Sequence, residues 1–155
     1  MDYYAGAELK NEYVRFIDSI ADWQYFLTLT FRPDRFSDAE IKYYYDTGRI
    51  PEKVTKQILH LDTRLQQKKN QLNSIHVIEP TKRGIPHSHA MLSFPSQLIS
   101  EKDYFLTIQK EIENYWEKKN GFIHLRSIKS RAGVSAYITK YVLKTSVQSD
   151  SILKL

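Results

Sequence analysis

Between Ile75 and Phe94 the chain reads IHVIEPTKRGIPHSHAMLSF, and this stretch limits the fold more than any other. Two strand-like runs, Asn73 to Glu79 and Ile85 to Phe94, flank Thr81-Lys82-Arg83-Gly84, with Pro86 just beyond. Gly and Pro so placed supply turn chemistry. A link this short joins antiparallel neighbours, because parallel strands need a crossover of a dozen or more residues. Closure symmetric about Arg83 sets Glu79 opposite His87 and Val77 opposite His89.

Side chains alternate faces along a strand, so His87 and His89 point the same way. With Glu79 across the ladder, a carboxylate stands beside two imidazoles on one sheet face. That is a divalent-metal site in outline. The assignment of Glu79 requires that it share the histidines' face.

The rest of the chain surrounds this hairpin with helices and further strands. Ala7 to Ile20 has helical spacing, with Leu9, Tyr13, Phe16, Ile17 and Ile20 on one stripe. Tyr25 to Phe31 alternates as a strand and stops at Arg32-Pro33. One of its faces, Phe26, Thr28 and Thr30, is polar enough to line a site, although a merely half-polar strand reads the same way. Ser37 with Glu40 has the form of a helix N-cap, and a short helix runs to Tyr45. A longer helix over Glu52 to Gln71 carries Val54, Ile58, Leu61 and Leu65, with His60 on its surface side. Another, from Ser100 to Lys119, carries Phe105, Ile108, Ile112 and Trp116 and stops at Asn120-Gly121. Phe122 to Ile128 is a fourth strand; His124 on it lacks a second ligand at i±2 and is expected to lie outside any site. Lys129 to Gly133 is a basic turn, and Val134 to Lys144 is the last helix. The tail from Thr145 either extends the fold or stays loose. The fold class is α+β, an antiparallel sheet with helices packed on it.

The 155 residues are expected to form one domain, large enough for a core without staples. No cysteine is present, which removes disulfides, zinc-thiolate sites and thiol nucleophiles and fits a reducing compartment. There is no membrane span and no signal-peptide core, so a cytoplasmic protein is expected. A net charge of +5 permits a phosphate-binding face without demanding one. Eleven tyrosines, seven phenylalanines and two tryptophans are expected mostly in the core, although exposed rings can stack on unpaired bases.

A second constellation lies on the last helix. Tyr137, Lys140, Tyr141 and Lys144 fall within an arc of roughly 100°, beside a stripe of Val134, Ile138 and Val142 expected to face the sheet. No carboxylate interrupts this face, and a phosphodiester would be held well there. Tyrosine is a weak nucleophile at neutral pH, but a neighbouring ammonium favours the phenolate. A metal polarising the phosphate lowers the demand further. Either motif alone has a bland explanation, as an incidental HxH pair or a solvated helix face. Together they are chemically complementary.

These residues resemble the HUH endonuclease superfamily, specifically the two-tyrosine rolling-circle replication initiators of phages, viruses and plasmids. Phe26-Leu-Thr-Leu-Thr-Phe31 resembles the first family motif. Pro86-His-Ser-His-Ala90 resembles the second, with Ser88 where a bulky apolar residue is usual. Tyr137-Ile-Thr-Lys-Tyr-Val-Leu-Lys144 resembles the third. The resemblance implies a ferredoxin- or RRM-like sheet and metal-dependent nicking and joining of single-stranded or hairpin origin DNA through a 5′-phosphotyrosine. It implies Glu79, His87 and His89 as ligands of Mg²⁺ or Mn²⁺. It implies Tyr137 and Tyr141 as nucleophiles, with Tyr141 favoured as the first attacker and Lys140 and Lys144 as its cationic support. Lys82, Arg83, Lys129 and Arg131, with the Tyr43 to Tyr45 run, are the expected DNA contacts. No GxxxxGK[ST] motif is present, so a host helicase and DNA polymerase are implied partners. A single-stranded DNA transposase of the same superfamily is an alternative, although such enzymes typically carry one tyrosine. A non-catalytic RRM-like nucleic-acid-binding module is the other, and it leaves the Glu-His-His group unexplained.

Overall fold

The computed structural model describes residues 3–69, 71–95, 101–137, 140 and 150–154. In chain order the elements are α1 (Tyr3–Ile20), β1 (Tyr25–Thr30), α2 (Asp38–Thr47), α3 (Glu52–Lys69), β2 (Asn73–Pro80), β3 (Pro86–Ser93), α4 (Glu101–Trp116), β4 (Ile123–Ser127), α5 (Arg131–Tyr137) and β5 (Asp150–Lys154). The strands form one antiparallel sheet in the order β4-β1-β3-β2-β5. The first four follow the β-α-β-β-α-β ferredoxin-like plan, in which β3 enters between β1 and β2. The tail therefore extends the fold: β5 pairs with the outer side of β2 from Ser74 to Ile78.

The hairpin closes in the register set by its turn. Glu79 pairs with His87 and Val77 with His89. Gly84 takes φ 82°, a left-handed conformation that glycine adopts without a Cβ penalty. Thr81 holds the turn at both ends. Its carbonyl accepts from Gly84 N–H at 2.9 Å, and its hydroxyl accepts from Ile85 N–H at 3.2 Å.

Helices cover both sheet faces. On one face, Tyr25, Leu27 and Leu29 of β1, with Phe31 just beyond it, meet the stripe Val54, Ile58, Leu61 and Leu65 of α3 and Ile108, Ile112 and Trp116 of α4. Tyr104 is buried here, while Phe105 is only partly covered. On the other face, Ile75, Val77 and Met91 pack with Ile17 of α1 and Val134 and Tyr137 of α5. Phe16, read from spacing as part of the α1 stripe, is 49% exposed. Among the described side chains of α1, Ile17 is fully buried, and Val14 and Ile20 pack partly buried against the same cluster; the side chains of Leu9 and Tyr13 lie outside the described ones. Ser37 and Glu40 form the expected capping box at the start of α2.

The first of these faces also holds a buried polar network. Asp62 of α3 accepts the Ser74 hydroxyl at 2.6 Å and lies 3.1 Å from His76 Nε2. His76 Nδ1 lies 3.1 Å from Ser88 Oγ. All four residues have no solvent exposure. A Ser-His-Asp chain is the connectivity of a hydrolase triad, but this one is sealed in the core and no substrate reaches it. Its physical effect is to tie β2 and β3 to α3 through bonds that only one register satisfies.

The β1–β4 edge beside His87 depends on a close approach. Thr30 N–H donates to the Phe122 carbonyl at 3.0 Å, and Arg32 N–H to the Asn120 carbonyl at 2.7 Å. A Cβ on Gly121 would collide with the Thr30 carbonyl. Gly121→Ala is therefore expected to cost about 1–3 kcal/mol, read as a lower thermal midpoint. Asp62→Ala strands both His76 and Ser74 and is expected to cost about 3 kcal/mol. An unchanged urea midpoint for Asp62→Ala would show the network to be dispensable.

Candidate metal centre

The face opposite the buried network carries Glu79, His87 and His89. Strand parity dictates this: Ser88 points to α3, so its two neighbours point the other way. Glu79 Oε1 lies 3.5 Å from His87 Nε2 and 3.4 Å from His89 Nε2. One ligand atom from each residue lies within 4.8 Å of the others. The two imidazole rings meet edge to face, 4.8 Å between centroids and 84° between planes. Side-chain exposures of 10%, 16% and 15% leave a narrow opening to solvent.

This group fits a metal ion. Donor atoms about 2.1 Å from a divalent ion lie roughly 3.0–3.5 Å apart at adjacent positions, and the observed Glu–His separations have that size. The hydrogen bonding of His89 also fits. Its Nδ1 is 3.3 Å from Thr28 Oγ1, so a ring that donates Nδ1–H to the hydroxyl presents a bare Nε2 toward Glu79 and His87. Thr28 is the cross-strand neighbour of His89, and the polar face of β1 thus lines the site. Two imidazoles and one carboxylate leave coordination positions open for an oxygen ligand.

Helix α5 covers the adjoining part of the same face. It begins at Arg131 rather than Val134, because Ser130 Oγ accepts from Gly133 N–H at 3.2 Å and caps the first turn. The expected turn from Lys129 to Gly133 is thus partly helical. Spacing places Tyr137 at the margin of the buried stripe; the structure puts it inside. Tyr137 is 7% exposed and stacks on Phe26, centroids 4.6 Å apart and planes 16° apart. The flat Phe26 ring offers the phenol a better surface than solvent does. Phe26 pairs with Met91, two residues from His89 on the same face. Lys140 is exposed. Tyr141 and Lys144, with Ile138 and Val142, lie outside the described residues.

The four expected DNA contacts do not form one patch. Lys82 and Arg83 are exposed at the hairpin tip, where they line a cleft with Ile41 and Tyr45 of α2. Lys129 and Arg131 lie exposed at the other end of the sheet. There they border a cavity of about 500 Å³ with Trp23 and Gln24, and Arg131 Nη1 lies 3.4 Å from Asp18 Oδ2. The Tyr43 to Tyr45 run divides: Tyr44 is buried, while Tyr43 and Tyr45 are 51% and 67% exposed.

Three residues given no role by the sequence have defined places. Asp62 and His76 form the buried network. His124 stands on the metal-site face, paired with Thr28. Cross-strand parity, applied from β3 through β1 to β4, would have found His124; spacing along β4 alone could not.

Among the described residues, no helix is long and apolar enough to cross a membrane. Searches of the curated proteins and of the solved structures found no significant match. The family model for the replication-associated protein ORF2 matches residues 24–146, which span every strand from β1 to β4, the Glu-His-His group and the tyrosine helix. With that much of the chain matched, the protein belongs to the ORF2 family of replication-associated proteins.

Proposed function

We propose that the protein nicks and rejoins single-stranded DNA at a replication origin, as a two-tyrosine initiator of the HUH type. The observation that carries this reading is the convergence of Glu79, His87 and His89 on the sheet face that α5 and Tyr137 also occupy. Membership of a replication-associated family supports it. An RRM-like binding module has no use for a carboxylate held between two imidazoles.

Glu79, His87 and His89 would hold Mg²⁺ or Mn²⁺, which would supply Lewis-acid polarisation of the scissile phosphate. Thr28 keeps His89 in the ligating tautomer. The phenolic oxygen of Tyr141 bonds to phosphorus while the bond from phosphorus to the 3′ oxygen breaks. The phenolic proton is given up and the leaving oxygen gains one, so the products are a 5′-phosphotyrosine and a 3′-hydroxyl. Lys140 and Lys144 favour the phenolate and offset charge on the phosphate. The burial of Tyr137 against Phe26 favours Tyr141 as the first nucleophile, with Tyr137 acting in the second transfer. Attack of a 3′-hydroxyl on the phosphotyrosine reverses the step and rejoins the strand. Lys82 and Arg83 at the hairpin tip and Lys129 and Arg131 at the opposite end hold the origin DNA. The 3′-hydroxyl primes a polymerase, and a host helicase supplies unwinding.

Incubation with Mn²⁺ and a single-stranded origin oligonucleotide is expected to give a covalent adduct on a denaturing gel. Tyr141→Phe should reduce it strongly, and Tyr137→Phe with Tyr141→Phe should abolish it. Tight binding without cleavage under any divalent ion would sink the enzyme reading in favour of the binding module. Calorimetric titration with Mn²⁺ should show binding lost in Glu79→Ala. In Thr28→Val it should weaken by about tenfold with the thermal midpoint unchanged.

A further inference from the structure

The metal-site face does not end at β1. Register carries it outward to β4, where Thr28 pairs with His124 and Phe26 with Arg126. Phe122 sits one step further along, exchanging hydrogen bonds with Thr30: Thr30 N–H donates to the Phe122 carbonyl at 3.0 Å, and Phe122 N–H donates to Thr30 Oγ1 at 2.9 Å. Phe122, His124 and Arg126 therefore share one face and recur about every 6.7 Å along the strand. All three are exposed, and Phe122 at 72% is the most exposed large apolar residue among those described. The alternate residue Leu125 is buried on the other face.

Charge points to the same partner. Lys118, Lys119, Arg126 and Arg131 are exposed, and no Asp or Glu interrupts the chain from residue 118 to residue 131. Cations on an edge strand also serve to discourage sheet-to-sheet pairing. That explanation fails for Phe122, because an exposed phenyl on an edge invites the association that the cations would prevent. Aromatic rings interleaved with cations on an open sheet are the means of holding a single strand, by stacking on bases and neutralising phosphates. A duplex hides its base faces from such a ring.

We propose that Phe122, just before β4, together with His124 and Arg126 of β4, forms a track for single-stranded DNA that delivers the strand to the metal centre. Phe122 stacks on an unpaired base. Arg126, whose guanidinium is anchored over the Phe26 ring at 5.5 Å, holds a phosphate, and His124 stands between them. β4 and β3 are two strand spacings apart, about 10 Å, so a nucleotide on His124 is a short step from one at His89. This track rests on the nicking reading for its purpose but not for its measurement.

The test is fluorescence anisotropy of a labelled thymidine 20-mer with the full chain in EDTA, where no cleavage occurs. Phe122→Ala is expected to weaken binding roughly 5- to 100-fold, and Phe122→Trp to restore it with quenching of the indole on DNA addition. Arg126→Ala should lower the salt slope by about 0.7. A duplex of the same length should bind alike to wild type and Phe122→Ala. Wild-type affinity in both alanine variants, or an unquenched indole at saturation, overturns the track, and so does an equal loss of duplex binding in Phe122→Ala. Because binding is read without metal, an active nickase with unaffected variants sinks only the track. Weakened variants of a chain that never cleaves would sink only the nicking reading.

Discussion

Everything at the candidate metal centre depends on one register, the pairing of Glu79 with His87 across the β2–β3 hairpin. A slip of one residue would turn Glu79 to the opposite face from the histidines, because side chains alternate along a strand. Several independent contacts resist that slip. The left-handed Gly84 fixes the turn. Ser88 and His76 must meet on the buried face while Asp62 reaches both His76 and Ser74. β1 on one side and β5 on the other hold the pair as interior strands.

The central strand thus does opposite things on its two faces. His87 and His89 look toward solvent and the metal position, while Ser88 looks into the core and is sealed there. This accounts for a polar residue between the histidines. A buried hydroxyl with a partner is tolerated where one without would not be, and here the partner is a histidine fixed by a carboxylate from α3. The helix layer on the core face thereby stiffens the backbone that presents the ligands.

Much of this was legible in the residues themselves. The hairpin, its register, the α3 stripe and the α2 capping box follow from periodicity and turn chemistry, and the structure reproduces them. Periodicity has less to say where a polar residue is buried. Asp62 sits beside Leu61 on a helix whose polar positions mostly face water, and only the arrival of His76 and Ser74 from β2 makes it an interior group. Tyr137 is similar, since the ring of Phe26 that covers it comes from a strand far earlier in the chain. His124 escaped because its significance lies across strands, in the row His124, Thr28, His89, and not along its own.

The ladder gives the three ligands unequal mechanical footing. His89 lies mid-sheet, between Thr28 of β1 and Val77 of β2. The β2–β5 ladder, by contrast, runs from Ser74 to Ile78 and stops one residue short of Glu79. The imidazole is therefore set in the stiffest part of the fabric, and the carboxylate at its hem. A carboxylate can also switch between one and two donor oxygens, which a ring nitrogen cannot. The candidate centre thus sets His89 in the middle of the sheet and Glu79, beside His87, at its end, so that a bound ion would meet one imidazole on the firmest footing and a carboxylate on the most adjustable one.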